Sequence, residues 1–398
     1  MSSKPEDALP GRIPCMDLLR GLVMVIMALD HTRDFLSNAQ FSPLDLTQTT
    51  PALFFTRWIT HFCAPIFILL AGTSAFLYSS CGRTNAEAAR FLFIRGLLLI
   101  VLEFTLVHFG WFFKFDYHFL LAQVIWAIGW SMLILSGLIA LRLPICGLAF
   151  VAIAIIAGHN LLDPVRADQF DALQWLWIIL HQPDIINFAA GRQLYALYSI
   201  VPWSGVMMAG YALGPIFLFR SEERRKWLFR LGLGLILAFV ILRWSNVYGD
   251  PQRWIQFQDT GLKFLSFINT TKYPPSLLFL LMTLGPAFLL LAAFERIRPD
   301  VFLVRFFTVF GRVPLFYYVL HLILIHAIAI TLSYVRYGEA PWFFGTGWML
   351  RFALPPDYGY GLPIVYLVWL GVVALLYPIC YWFARIKQSS RAGWLSYF

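Results

Sequence analysis

The chain has 398 residues, of which 60% are hydrophobic, 18% aromatic and 13% charged, with a formal net charge of +9 and a mean hydropathy of +0.72. A soluble domain carries about 25% charged residues, so the composition excludes an ordinary water-soluble domain and reads as a membrane protein. The basic residues sit in short clusters between apolar runs, which excludes a nucleic-acid binder despite the positive charge. Five cysteines is an odd count, and Cys63, Cys146 and Cys380 lie in or beside apolar runs, so no disulfide framework is expected.

A membrane span needs about 20 mostly apolar residues. Ten segments qualify, at 17–36, 57–79, 91–112, 119–141, 143–158, 197–219, 228–243, 276–294, 312–333 and 363–384. Unpaired backbone groups are too costly in hydrocarbon, so all ten are expected to be helices. The first apolar run, Leu18 to Leu36, contains Asp30 and His31 and no small-residue cleavage site after it; it reads as a retained helix rather than a signal peptide. The stretch from Ala172 to His181 reads as a re-entrant or interfacial helix. The expectation is an all-α, polytopic membrane bundle forming one domain over residues 1–398.

Orientation follows from the Lys/Arg distribution. Placing the N-terminus inside assigns 19 of the 30 basic residues to the cytoplasmic side, among them Lys4, Arg12, Arg391 and the cluster Arg220–Lys226. The loops on that side are short, whereas those at 37–56, 159–196, 244–275 and 334–362 are long. Both termini are therefore expected inside.

Ionisable groups inside spans are expensive and by default mark function. Asp30, His31 and Asp34 fall in the outer part of the first span, with Arg33 to compensate the like charges, and Arg57 and His61 share a face of the second. Histidine beside a carboxylate meets the needs of proton transfer. A metal at His31, His61 and Asp30 is the competing use, but no ligand pair has a known metal spacing, and no metal is expected. Glu103 lies near mid-membrane with His108 further out. In the ninth span His321 is central, and His326, five residues on, points elsewhere and reads as the partner of a backbone carbonyl. Lys272 and Tyr273 mark the outer interface before the eighth span; Arg95 and Arg312 lie on the cytoplasmic face.

The segments DLLRGLVMVIMALDH (Asp17–His31) and THFCAPIFILLAG (Thr60–Gly72) resemble the bacterial DUF1624 membrane proteins, grouped with the catalytic domain of heparan-α-glucosaminide N-acetyltransferase among transmembrane acyltransferases. Further similar stretches include FLFIRGLLLIVLE (Phe91–Glu103), QVIWAIG (Gln123–Gly129), GHNLLD (Gly158–Asp163), KYPPSLLFLLMTLGP (Lys272–Pro286) and GRVPLFYYVLHLILIH (Gly311–His326). The resemblance implies transfer of an acetyl or other acyl group from cytoplasmic acetyl-CoA to an extracytoplasmic acceptor, a sugar or glycan, by an enzyme of a bacterial inner membrane. Membrane lipid and a second copy of the chain are partners such a bundle admits; nucleic acid is not.

By position, His31 falls where the lysosomal enzyme has an asparagine implicated in its site, His61 where it has an aspartate, and His321 on a late-helix histidine. The histidine proposed as catalytic in that enzyme lies between its first two spans, and residues 32–60 here contain none. The expected catalytic set is therefore His31, His61, Asp30, Asp34, Arg57 and His321. His31, oriented by Asp30 or Asp34, would be the base, and Arg57 and His61 the oxyanion donors. The residues expected to hold the donor are Arg95, Glu103, Gln123, Lys272, Tyr273 and Arg312. The rival from another class is a proton-coupled transporter or flippase using the same groups as a relay; a third is a non-enzymatic component in which they only fix helix register.

Overall fold

The computed structural model describes residues 13–298, 300–349 and 353–389; Lys4, Arg12 and Arg391 lie outside them. Ten long helices correspond to the ten expected spans: α1 Pro14–Leu36, α2 Pro51–Ser80, α3 Asn85–Phe112, α4 Val124–Ala140, α5 Ile145–Leu162, α6 Ile200–Leu218, α7 Ser221–Ser245, α8 Leu277–Phe294, α9 Pro314–Tyr337 and α10 Leu362–Ser389. Eight of them are long and apolar enough to cross a membrane. The other two are α4, at 17 residues, and α1, at 23 residues, which carries Asp17, Arg20, Asp30, Arg33 and Asp34. The protein is an integral membrane protein of mainly helical build.

The helices start where sequence chemistry tells them to. Pro14 opens α1, where its missing N–H costs nothing. A capping box starts α3: Thr84 Oγ1 accepts from the Glu87 N–H and Glu87 Oε2 accepts from the Thr84 N–H, at 3.2 and 2.8 Å. Ser276 caps α8 by accepting from the Phe279 N–H at 3.0 Å. The apolar runs that follow pack in pairs, α3 along α4, α7 along α8 and α2 along α6.

The closest approach lies between α1 and the short helix Phe302–Arg312. A Cβ at Gly21 would sit 1.8 Å from the Phe307 carbonyl oxygen, and one at Gly311 would sit 1.8 Å from that of Asp17. Only glycine lets the two backbones meet in this way.

The fourth expected span needs correction. Residues 119–122 are not its first turn but a strand, β1 Phe119–Ala122. Together with β2 Asp184–Ala189 and β3 Arg192–Ala196 it forms a three-stranded sheet ordered β1-β3-β2, parallel between β1 and β3 and antiparallel between β2 and β3. An apolar run of four residues carries no periodicity that separates strand from helix, and the deciding contact is some 70 residues downstream. The expected interfacial helix is present as Gln174–Leu180, seven residues and too short to cross.

The long connections fold onto one another at the end of the bundle where α1 finishes. The Asn38 N–H donates to the Tyr360 carbonyl at 3.1 Å and that of Tyr360 to Leu36 at 2.8 Å. Asn269 Nδ2 donates to the Leu44 carbonyl at 3.1 Å, and Asn160 Oδ1 accepts from the Leu277 N–H at 2.9 Å. At the opposite end, where α1 begins and α10 ends, Arg20 and Lys387 line a common cavity.

Candidate active site

A cavity of about 260 Å³ opens among Arg20, Arg95, Arg312 and Lys387. Its walls are apolar, formed by Met24, Met27, Phe67, Leu99, Ile128 and Leu315 among others, and Tyr318 of α9 also lines it. Among the described residues Asp17 is the only acid on the lining, and it is paired with Arg20 at 3.1 Å. The rim thus carries net positive charge above a narrow apolar bore, which suits a ligand with phosphates at one end and an uncharged arm at the other.

Tyr318 borders the next layer of the site. Its ring lies 6.2 Å from that of His31 and 5.6 Å from that of His321, edge-on to both. Its hydroxyl is buried with no hydrogen-bond partner among the described residues. His31 Nδ1 and His321 Nε2 are 2.8 Å apart, and His321 Nδ1 is 2.8 Å from the Tyr317 carbonyl. A carbonyl only accepts, so for neutral rings His321 Nδ1 carries the proton. His321 Nε2 is then a lone pair that accepts from His31 Nδ1–H. This leaves His31 Nε2 unprotonated, with no hydrogen bond among the described residues. Two side chains 290 positions apart thereby fix one imidazole as a base aimed away from its partner.

The carboxylates next to His31 are occupied elsewhere. Asp30 Oδ2 accepts from Arg57 Nη1 at 2.6 Å; Arg33 Nη2 lies 2.9 Å from Asp30 Oδ1 as an ion pair without hydrogen-bond geometry and donates its hydrogen bond to Asp34. The group that orients His31 is therefore His321, not Asp30 or Asp34 as the sequence led one to expect. The i,i+4 repulsion between the two acids is relieved by Arg33, which sits between them on the same helix.

Arg57 Nη1 also donates to Thr60 Oγ1 at 3.0 Å, so that nitrogen is committed to holding α2 against α1. His61 is fully buried against Phe279, with neither ring nitrogen hydrogen-bonded among the described residues. Arg33 Nη1 is likewise buried and without a partner among them.

The six residues expected to hold the donor separate into three groups. Arg95 and Arg312 line the cavity. Glu103 is a cap instead: its Oε1 accepts from the Gln123 N–H at 3.2 Å and its Oε2 from the Trp126 N–H at 2.8 Å, which starts α4 from a π-helical turn in α3. Lys272 and Tyr273 stand with the Asp30–Arg57 pair. Lys272 lies near enough to Asp30, His31 and His61 to act on each electrostatically, and its ammonium is 5.1 Å from the Tyr273 ring. Burial alone would raise the Tyr273 phenol, but Lys272 and Arg57 beside it hold it below its ordinary value.

Arg20, Lys387 and Tyr318 complete the site and were not singled out in the sequence. Tyr318 carried a signal there, since it precedes His321 by three residues and so shares its helix face. Arg20 and Lys387 looked like ordinary positive-inside charges.

Fold and site together define an integral membrane protein with a buried histidine pair beside Tyr318, which lines a cavity rich in basic residues. Residues 12–247 match the family model described as heparan-alpha-glucosaminide N-acetyltransferase, catalytic. The chain belongs to that family, a family of membrane N-acetyltransferase catalytic domains. No curated protein matches the chain. The matched segment ends within two residues of α7 and so contains His31 and His61, but not Tyr318 or His321.

Proposed function

We propose that this protein transfers an acetyl group from acetyl-CoA on the cytoplasmic side to the amine or hydroxyl of a sugar on the other side. The observation that carries this reading is that Tyr318, which lines the basic cavity, also lies edge-on to the rings of His31 and His321. Arg20, Arg95, Arg312 and Lys387 line the same cavity, at the end of the bundle where α1 begins. In this reading the rim binds the phosphates of the donor, the apolar bore takes the pantetheine arm, and the thioester carbonyl comes to Tyr318. The excess of basic residues at the same end supports a cytoplasmic rim.

The chemistry follows from the hydrogen-bond directions. His31 Nε2 takes the proton of the acceptor N–H or O–H as that atom attacks the thioester carbon. The Tyr318 O–H donates to the oxyanion that forms, in place of Arg57 and His61; its hydroxyl has no competing partner and sits in a dry site, where such a donor is worth most. When the C–S bond breaks, His31 returns the proton to the departing CoA sulfur and both rings are restored. His321 holds His31 in the required tautomer throughout. Arg33 Nη1, His61 and Lys272 are the polar groups available to a sugar on the far side.

The test is acetyl transfer in proteoliposomes, with labelled acetyl-CoA on the rim side and an amino sugar on the other. The wild type should label the acceptor, and His31→Ala should reduce kcat about a thousandfold with the helical fold intact. Equal rates in wild type and variant, or accumulation of unmodified sugar driven by a pH gradient, would overturn the reading.

A further inference from the structure

A second histidine cluster lies apart from this cavity. The last turn of α5 and the residue that ends it present His159 and Asp163 four positions apart. His181 arrives from the end of the short helix Gln174–Leu180. One potential ligand atom from each of the three lies within 4.8 Å of the others. The His159 and His181 rings are 5.7 Å apart, tilted at 58°, and His181 Nε2 is 3.8 Å from Asp163 Oδ1.

His159 sets this cluster apart from a hydrogen-bonded one. The residue is 3% exposed, yet neither ring nitrogen makes a hydrogen bond among the described residues; the nearby Pro275 carbonyl falls outside hydrogen-bond geometry. Leaving a buried imidazole unpaired is unfavourable, so a ligand for it is expected. The surroundings hold the other two side chains as a second shell does. Asn160 Nδ2 donates to Asp163 Oδ2 at 2.8 Å, leaving Oδ1 turned to the histidines. Trp177 stacks on His181 at 5.2 Å.

We propose that His159, Asp163 and His181 bind one divalent first-row transition metal of the zinc class, which fastens His181 to the end of α5. Two imidazoles and a carboxylate are a donor set for such ions and not for calcium or magnesium, which take oxygen. Metal–ligand bonds of about 2.0–2.2 Å place ligand atoms roughly 3.3 Å apart in a tetrahedron, so the three side chains draw in on binding. His181 Nε2 now lies 3.0 Å from the His159 carbonyl; it would give up that contact and carry its proton on Nδ1 instead. Water fills the fourth position. The same turn already reaches α8 through Asn160 and the Leu277 N–H, five residues beyond Lys272, so the ion steadies the loop that supplies Lys272 and Tyr273.

The experiment uses the full chain in detergent, stripped with a chelator and titrated with Co²⁺ or Zn²⁺ alone. Expected are one equivalent of bound ion, visible d–d bands with Co²⁺, and a rise in Tm with Zn²⁺. Asp163→Asn keeps the volume and the Asn160 contact and should lose the bands and the Tm response; His159→Gln should do the same. An absence of bands and of any Tm response in the folded wild type would overturn the proposal, whatever the variants do. So would bands of equal strength in Asp163→Asn, since the ion would then sit elsewhere. None of these readouts depends on acetyl transfer.

Discussion

Two fully buried histidines lie five positions apart on α9, and their surroundings differ in one respect that matters. Around His326, both ring nitrogens face main-chain carbonyls, Gly110 at 2.9 Å and Phe343 at 3.0 Å, inside a wall of Phe35, Phe113 and Phe343. Around His321, one nitrogen faces the Tyr317 carbonyl and the other faces a second imidazole, which passes a free lone pair on to His31 Nε2. Both side chains are fully buried. What distinguishes a site from a strut is whether the chain of hydrogen bonds ends on an atom that still has something to accept.

That contrast can be tested by substitution. Beyond loss of the base itself, the largest effect is expected at Tyr318→Phe, which removes one oxyanion donor and should lower kcat about a hundredfold with little change in KM for acetyl-CoA. A variant with unchanged kcat would remove Tyr318 from the chemistry. His321→Ala leaves His31 without its acceptor and should cost roughly tenfold to a hundredfold. His321→Gln, whose amide oxygen accepts from His31 Nδ1–H, should recover most of the rate. The alanine variant should also shift the midpoint of the pH profile of kcat/KM, which a purely structural residue would not do.

At the rim, Arg95→Ala and Arg312→Ala should each raise KM for acetyl-CoA about tenfold with kcat retained, since each removes a charge-assisted contact of about 1.5 kcal/mol. The wild-type KM should itself rise with salt. The smallest effect on rate belongs to His326→Gln, with kcat within a few-fold of wild type. Its cost is stability, about 1–3 kcal/mol, read as a lower Tm in detergent. A collapse of kcat in this variant with Tm unchanged would abolish the distinction between the two regions.

The membrane helices were legible because hydrocarbon demands long apolar runs, and each of the ten segments contains a long helix, eight of them long and apolar enough to cross. The strand at 119–122 was not, because its pairing partner is distant and the run is too short to show a period. Within the site, the approach of Arg57 to Asp30 followed from adjacency of the first two spans, and the inert part of His326 from its offset on the helix. The orientation of His31 by His321 was hidden, since it joins positions 290 apart, and the nearer carboxylates at Asp30 and Asp34 were the obvious but wrong candidates. Glu103 looked like a binding group from its depth alone, while its partners are backbone N–H groups that a sequence does not display.

The glycine contact between α1 and the helix Phe302–Arg312 has a consequence for donor choice. Gly311 is itself part of the cavity wall, next to Arg312 and across from Asp17 and Arg20. The bore at the entrance is thus gauged by main chain against main chain, not by side chains free to swing aside. A methyl group at either glycine would wedge the helices apart and pull the two arginines out of reach of a common phosphate, so the entrance works as a rigid calliper whose setting is written in two missing carbons.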